Sequence, residues 1–369
     1  MRGLLEHRFL RVYIVPGAVF QSVMVGGGYG TGREIVEYFT TFGSLGGLFG
    51  IGVAYVVLAC VLAATFEFSR SFSVHDYRSF FKSLLGPGWI AFEVLIILLF
   101  LLVLAVLAAA AGNILRDDFG IPYVVGLSIM LGLIGVLTFY GEQLIKKVLT
   151  LWSAVLYFVF IAFFIAVFKG NETSLAGSLA PAEVHAGWLR SGFKYALYNL
   201  AIAPLLLYVV RGIETRREAV VSGAVAGAIA LAPAILFHFA FLTASPGVLG
   251  EAIPVYWMLT QLGSDALTVL FSIVLFGTFI ETGAGMLQGI NDRIDQYLVE
   301  VRGEGLPKTM RSAIAVGAIL LSAGLSLVGI TSLIAMGYGT MSWGFLLVYV
   351  IPLLTIGVYR LVNRRSPET

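Results

Sequence analysis

Long apolar segments separated by short polar stretches make up almost the whole chain. A helix needs about 20 apolar residues to cross the hydrocarbon core of a bilayer. Ten segments come close to that length or exceed it: residues 12–42, 45–68, 89–112, 121–139, 148–168, 188–210, 219–243, 266–290, 310–328 and 332–361. The connections between them are too short to hold a soluble domain. The pattern therefore predicts an all-α integral membrane protein with about ten transmembrane helices and the lipid bilayer as its surroundings.

The first apolar segment is interrupted by the stretch Gly26-Gly27-Gly28-Tyr29-Gly30-Thr31-Gly32. So many glycines are unfavourable in a helix. Broken backbone at membrane depth is tolerated only where it is buried in protein or lines a wet cavity. We therefore predict a discontinuous first helix, Val12–Val25 followed by Arg33–Phe42, with a binding site at the break. The alternative is a flexible helix whose glycines admit a close neighbouring helix.

Composition supports a membrane protein and argues against several other classes. The chain is 59% hydrophobic and 12% charged, which no soluble globular domain matches. The single cysteine, Cys60, excludes an intramolecular disulfide and a cysteine metal cluster, and we expect it in the core. His238 alone among the histidines falls in an apolar run, and we interpret it as a hydrogen-bonded interior residue. No nucleophile–base pair or metal cluster appears, so we expect neither an enzyme nor a nucleic acid partner.

The distribution of lysine and arginine predicts the orientation in the membrane. With a cytoplasmic N-terminus, nearly all of them lie at cytoplasmic ends of the ten segments, as the positive-inside rule requires. The stretch Thr243–Asp265, which is then outside, carries none. Both termini are therefore predicted to be cytoplasmic. The exceptions, at the outer ends, are Arg33, Arg116, Lys169, Arg190 and Lys194.

Ten segments with both termini on one side suggest two halves of five, residues 1–170 and 187–365. An odd number of helices per half makes the second half an inverted repeat of the first, as in many secondary transporters. The sixth segment should then be broken like the first, and it contains the run Tyr198–Pro204. Pro204 lacks an amide hydrogen and its ring clashes with the carbonyl of Leu200. The alternative is an ordinary proline kink.

The two predicted breaks suggest a substrate site between helices 1 and 6. A half-helix N-terminus presents free amides, which favour an anionic group against Gly28–Gly32, with Thr31 as a capping residue. Tyrosines and an asparagine of the sixth segment would form the opposite wall, unless the tyrosines belong to the outer aromatic belt. Arg33, with Glu34 and Glu37, is either an outer gate or part of a local pair. The predicted substrate-binding residues are Gly26, Gly27, Gly28, Tyr29, Gly30, Thr31, Gly32, Tyr195, Tyr198 and Asn199.

Glu281 is the best candidate for coupling transport to an ion. Acidic residues inside a membrane are functional candidates by default. At helical spacing Glu281 borders a face that carries Thr278 and Thr282. These oxygens form a candidate sodium site, whereas a carboxyl group in hydrocarbon can equally carry a proton. The alternative is an acid that only hydrogen-bonds between helices. Glu67 and Glu93 are interpreted as interfacial residues at the ends of their helices.

This arrangement resembles the LeuT-type inverted repeat of the amino acid–polyamine–organocation superfamily, in which the first helix is unwound. Gly30-Thr31-Gly32-Arg33-Glu34-Ile35, the break in the sixth segment and Ile351-Pro352-Leu353 resemble bacterial and archaeal YkvI-type membrane proteins. The resemblance implies a prokaryotic plasma membrane, a substrate site between helices 1 and 6 and often a sodium site between helices 1 and 8. One departure is that the helix 8 hydroxyl groups are adjacent in sodium-coupled members, whereas Thr278 and Thr282 lie one turn apart.

From these features we expect a secondary active transporter for a small polar or zwitterionic solute such as an amino acid. Coupling is to sodium or to protons, and no other cofactor is expected. Two alternatives from other classes are a ligand-sensing receptor subunit that does not transport, and a passive channel. The sequence sets no oligomeric state.

Overall fold

The computed structural model of the protein describes residues 7–26, 29–140, 142–170, 177, 179 and 182–363. Of these, residues 118, 139, 140, 142–154 and 170 are described by their backbone alone. The regular elements in this part of the chain are all helices. The predicted all-α class is therefore confirmed.

In the described part of the chain we number thirteen main helices, and short 3-10 helices lie between some of them. The first, α1, begins with a π-turn at Leu10–Ile14, and the last, α13, contains further π-turns. The bounds are α1 Leu10–Met24, α2 Arg33–Tyr38, α3 Ser44–Phe72, α4 Tyr77–Leu85, α5 Trp89–Phe119, α6 Tyr123–Tyr140, α7 Glu142–Gly170, α8 Trp188–Leu200, α9 Arg216–Leu242, α10 Pro254–Gln261, α11 Asp265–Arg302, α12 Lys308–Ser326 and α13 Ile330–Asn363. A 3-10 helix, Ala203–Val210, follows α8.

The number of membrane spans can be compared with the ten predicted. Within the described ranges, 6 helices are long and apolar enough to cross a bilayer, or 7 if α8 and the 3-10 helix count as one bent span. Shorter apolar helices lie at Leu10–Met24, Tyr123–Thr138 and Val155–Lys169. The multi-pass architecture is thus confirmed. The count of ten and the division at residues 1–170 and 187–365 stay predictions.

Glycines bring α3 into close contact with α8 and α9. A β-carbon placed on Gly223 of α9 would lie 2.4 Å from the amide nitrogen of Ala63. One on Gly192 of α8 would lie 2.2 Å from the carbonyl oxygen of Gly50. Backbones this close leave no room for any side chain, so these glycines fix the distance between the helices. This packing holds α8, which carries part of the candidate site, against α3.

Two residues of the sequence analysis, His238 and Cys60, can be placed directly. His238 is fully buried, with Nδ1 3.1 Å from the Thr40 hydroxyl and Nε2 3.0 Å from the Ser44 carbonyl oxygen, so the interior interpretation is confirmed. Cys60 is exposed on α3. The expectation of a core cysteine was therefore wrong, because α3 turns this face away from the other helices.

Candidate functional site

The first span is broken at the glycine-rich stretch. Helix α1 ends at Met24 and α2 begins at Arg33. Gly32, which precedes α2, has φ 81°, a left-handed conformation that glycine adopts without strain. The Thr31 hydroxyl accepts a hydrogen bond from the amide of Arg33 at 3.2 Å. The predicted break is confirmed, and Gly27 and Gly28 lie outside the described residues.

The second break lies in the sixth predicted span. Helix α8 ends at Leu200, the 3-10 helix begins at Ala203, and their axes are bent by 58°. Pro204 stands at the start of the second half, where its missing amide hydrogen costs least. Before the bend, the Asn199 amide group donates to the carbonyl of Tyr195 at 2.9 Å. Discontinuity of both helices, as predicted, is confirmed.

A small cavity of about 40 Å³ lies where the two breaks meet. Three predicted substrate residues, Gly26, Tyr198 and Asn199, are on its wall. The predicted residues Tyr29, Thr31 and Tyr195 are fully buried near it. Their role in binding stays a prediction. We call this space the central cavity; its wall is Val23, Met24, Gly26, Glu34, Leu99, Phe100, Val103, Tyr198, Asn199, Ile202, Thr282, Met286 and Tyr338.

Glu34 is the functional candidate that the sequence analysis placed least well. It is 3% exposed and lines the central cavity from the first turn of α2. The hydroxyl of Tyr198 donates a hydrogen bond to its carboxylate, and so does the amide of Tyr29. Arg33 pairs with Glu37 one turn away instead. The spacing of Arg33 and Glu37 was the available signal, because that pair leaves Glu34 on a different face.

Buried tyrosines cover the central cavity on its outer side. Tyr198 stacks on Tyr338 with ring centroids 4.7 Å apart, and Tyr38 lies 5.6 Å from Tyr198. Tyr195 packs on Phe39 at 4.7 Å and is fully buried. The interfacial-belt alternative for the tyrosines of α8 is therefore wrong, since the rings face protein and not headgroups.

Beyond the tyrosines lies a larger polar space. A cavity of about 270 Å³ is bounded by α2, α8 and α13. Its charged residues are Glu37, Arg190 and Lys194, and Tyr38 separates it from the central cavity. Arg190 and Lys194 are on the side predicted to be outside. We call this space, which lies next to the central cavity, the outer vestibule.

Arg33 connects α2 to the segment between α9 and α10. Its guanidinium donates to the carbonyl oxygens of Leu249 at 2.8 Å and Glu251 at 3.0 Å, and to Glu37 at 2.7 Å. The amide of Val255 donates to the Thr31 carbonyl at 3.2 Å. We call residues 243–253, between α9 and α10, the outer segment. These hydrogen bonds fix the outer segment across the break in the first span. The predicted gate role of Arg33 stays a prediction.

A second small cavity, which we call the polar cavity, lies between α1, α7 and α11. It also measures about 40 Å³ and contains the predicted coupling residues Thr278, Glu281 and Thr282. The Thr278 hydroxyl donates to the carbonyl of Val274 at 2.9 Å. The polar cavity also has two hydroxyl groups that the sequence analysis did not predict, from Ser22 of α1 and Tyr157 of α7. Its remaining wall residues are Val25, Gly26 and Leu156.

The central and polar cavities share part of their walls. Gly26 and Thr282 line both. A β-carbon on Gly26 would lie 2.9 Å from the Thr282 hydroxyl oxygen, so α1 and α11 touch at this point. Among the described residues, no group of three or more histidine, cysteine, aspartate or glutamate side chains forms a metal site.

Glu93 lies in a buried ion pair at the end of α5. Its carboxylate is 2.8 Å from Arg293 of α11 and 3.5 Å from Arg78, and accepts from the Tyr77 hydroxyl at 3.0 Å. The Arg293 guanidinium also lies 4.1 Å above the Tyr77 ring. Glu93 is thus buried among protein side chains, and its interfacial depth stays a prediction. The cluster ties α4, α5 and α11 together at the end predicted to be cytoplasmic.

Comparisons with known proteins identify relatives. No family model matches the chain. It is 25% identical to the "Uncharacterized membrane protein YkvI" of Bacillus subtilis (strain 168) over 283 residues, which are 76% of this chain and 80% of that protein. The predicted YkvI-type resemblance is thereby confirmed.

Solved structures of transporters share the fold. The inward-facing conformation of Mhp1 matches 95% of this chain and 77% of its own, with TM-score 0.65 and 16% identity. A substrate-bound, outward-open Na+-coupled sialic acid symporter matches 93% and 78%, with TM-score 0.63 and 12% identity. A manganese transporter of Eremococcus coleocola matches 95% and 80%, with TM-score 0.60 and 16% identity. These likenesses confirm the predicted LeuT-type fold.

Proposed function

We propose that this protein is a secondary active transporter of a small polar or zwitterionic solute such as an amino acid. One observation carries the proposal: two broken helices meet at a small cavity, which shares Gly26 and Thr282 with a second, polar cavity. Broken helices place free backbone groups and helix ends at membrane depth, which is where transporters bind solutes and ions. The transporters named above, which have the same fold, support this function.

The central cavity is the proposed solute site. Gly26, Tyr198 and Asn199 contact the solute directly, and the glycines of the break allow the backbone to approach it. Alternating access requires that this site open to one side at a time. Arg33 and the outer segment close one side, and the residues of the outer vestibule receive the solute when that side opens.

The polar cavity is the proposed coupling site. A sodium ion is a hard cation and prefers oxygen ligands, and the cavity offers the Glu281 carboxylate with the hydroxyls of Thr278, Thr282 and Ser22. Val25 and Gly26, which follow the end of α1, line the same cavity, and carbonyl groups at a helix end suit a cation. The donor set therefore fits sodium. A proton on Glu281 would satisfy the same site, so coupling is to sodium or to a proton.

Proteoliposome flux tests the transporter function. The purified protein should concentrate a solute, found by a thermal-shift screen of small metabolites, when a sodium or proton gradient is imposed. A sensor subunit would bind the solute without moving it, and a channel would conduct without concentrating it. Either result would overturn the proposal.

Glu281→Gln tests coupling in the same vesicles. Glutamine keeps the shape and hydrogen bonding of Glu281 and removes its charge and titration. The variant should lose concentrative uptake and retain solute exchange. Sodium-dependent stabilisation that disappears in the variant would assign sodium, whereas pH-dependent uptake indifferent to sodium would assign protons. Full gradient-driven uptake by the variant would remove Glu281 from the coupling mechanism.

A further inference from the structure

Among the described residues, the wall of the central cavity carries one acidic side chain and no basic one. Glu34 is the charged side chain on it, and the other described wall residues are apolar or neutral. A carboxylate buried at membrane depth is costly unless a cation matches it or a proton neutralises it. The hydrogen bonds from Tyr198 and Tyr29 stabilise the carboxylate but supply no positive charge. No described wall residue supplies a positive charge to Glu34, so its carboxyl is either protonated or paired with a cationic ligand.

The nearest arginine in the sequence does not supply that charge. Arg33 is next to Glu34, but its guanidinium is bound to Glu37 and to two carbonyl oxygens of the outer segment. Consecutive helical residues point about 100° apart, so one cannot pair with the other across the same face. Arg33 and Glu34 thus contact different neighbours on different faces of α2.

The rest of the wall suits an organic cation. The rings of Tyr198 and Tyr338 stack at 4.7 Å, and Phe100 adds a third aromatic side chain. Aromatic faces attract ammonium groups. The sulfur atoms of Met24 and Met286 are polarisable and adapt to irregular ligands. A cavity of about 40 Å³ admits a headgroup of a few heavy atoms.

The start of α2, beside Glu34, offers an anion fewer free amide groups than an isolated helix end does. The amide of Tyr29 already donates to Glu34, and that of Arg33 to the Thr31 hydroxyl. The Gly32 amide donates to the carbonyl of Tyr29 at 2.9 Å. The positive end of α2 therefore already has a carboxylate of the protein in place, and a second anion there would be repelled by it.

We propose that the central cavity selects its solute by an ammonium group, which pairs with Glu34 under the stacked rings of Tyr198 and Tyr338. The inference rests on the proposed function for the position of the solute site, and adds the charge of the group recognised there. A zwitterionic solute binds with its ammonium group towards Glu34. Neutral and purely anionic solutes of the same size are excluded.

Matched small probes test the selection on purified protein. Thermal unfolding is measured in sodium-free buffer with free glycine, ethylammonium chloride, potassium acetate and acetamide, and potassium chloride keeps the ionic strength equal. Free glycine and ethylammonium should raise the unfolding temperature, and acetate and acetamide should not. Loss of a charge-assisted contact in Glu34→Gln should weaken binding of both ammonium probes by about 10- to 100-fold. Glu183→Gln, which removes an exposed outer carboxylate, is the matched control and should bind as the parent does.

The parent alone can overturn the proposal, even if Glu34→Gln fails to fold. Stabilisation by acetate or acetamide equal to that by the ammonium probes, or none by any ammonium probe, refutes it. Equal binding by parent and Glu34→Gln also refutes it. The transporter function fails separately: ammonium binding that depends on Glu34 without flux keeps this inference and excludes transport. Uptake of a solute without an ammonium group would keep the transporter function and refute selection by an ammonium group.

Discussion

Replacing Arg33 by methionine should open the outer side of the protein. The Arg33 side chain is 5% exposed, and its contacts join α2 to the segment between α9 and α10. Two of its hydrogen bonds go to the carbonyl oxygens of Leu249 and Glu251. Methionine has a similar length and no donor. In the variant those carbonyls lose their partner in the closed state and can hydrate when the segment moves away.

The contacts give the size of the effect. A hydrogen bond from a charged group contributes about 1.5–3 kcal/mol, so two bonds at the low end contribute about 3 kcal/mol. The pair with Glu37 adds little, because that carboxylate is partly exposed. Since 1.4 kcal/mol is a factor of ten, the population open to the outside should rise about 100-fold.

Cysteine labelling measures that population. Val103 on the central cavity wall is changed to cysteine in a Cys60→Ser background, because Cys60 itself is exposed. The rate of reaction with a membrane-impermeant maleimide from outside should rise about 100-fold in Arg33→Met. Arg116→Met is the control, since Arg116 is exposed and pairs with its neighbour Asp117. An unchanged rate in Arg33→Met would refute the gate role.

Two further predictions concern buried contacts. Glu93→Gln leaves Arg293 without its partner and should lower the free energy of unfolding by about 3 kcal/mol, measured by denaturant titration. Glu300→Gln, at the exposed end of the same cluster, is the control and should lower it much less. Equal losses in the two variants would contradict the buried pair. Gly26→Val should still fold but should no longer be stabilised against thermal unfolding by solute or by sodium, because a β-carbon at residue 26 lies 2.9 Å from the Thr282 hydroxyl oxygen. Solute binding equal to that of the parent would show that the contact can relax.

The breaks in the two helices were predictable because their signals are local. A dense run of glycines weakens a helix wherever it occurs, and the cost of broken backbone in hydrocarbon then requires a buried or wet site. Pro204 acts on its own turn of helix. The contact of Gly26 with Thr282 has no such local signal, but it agrees with the site between helices 1 and 8 that the family resemblance implies.

The roles of the acids were harder to predict because they depend on how separate helices are rotated. Glu34 and Glu37 lie on one short helix, and the sequence does not say which faces α8 and which faces the outer segment. Glu93 stands near the end of an apolar run, as an interfacial residue would. Its partner Arg293 is 200 residues away in the chain. The pairing becomes visible only once α5 and α11 are packed together.

The shared wall of the two cavities links the affinity for a cation to the affinity for the solute. If a cation in the polar cavity fixes Gly26 and Thr282, it prepares the wall that the solute meets in the central cavity. Linkage is reciprocal, so the solute must then raise cation affinity by the same factor by which the cation raises solute affinity. A sensor built on this fold would show the same reciprocity. Binding experiments therefore establish the coupling between the cavities, and movement of the solute across a membrane is what distinguishes a transporter from a sensor.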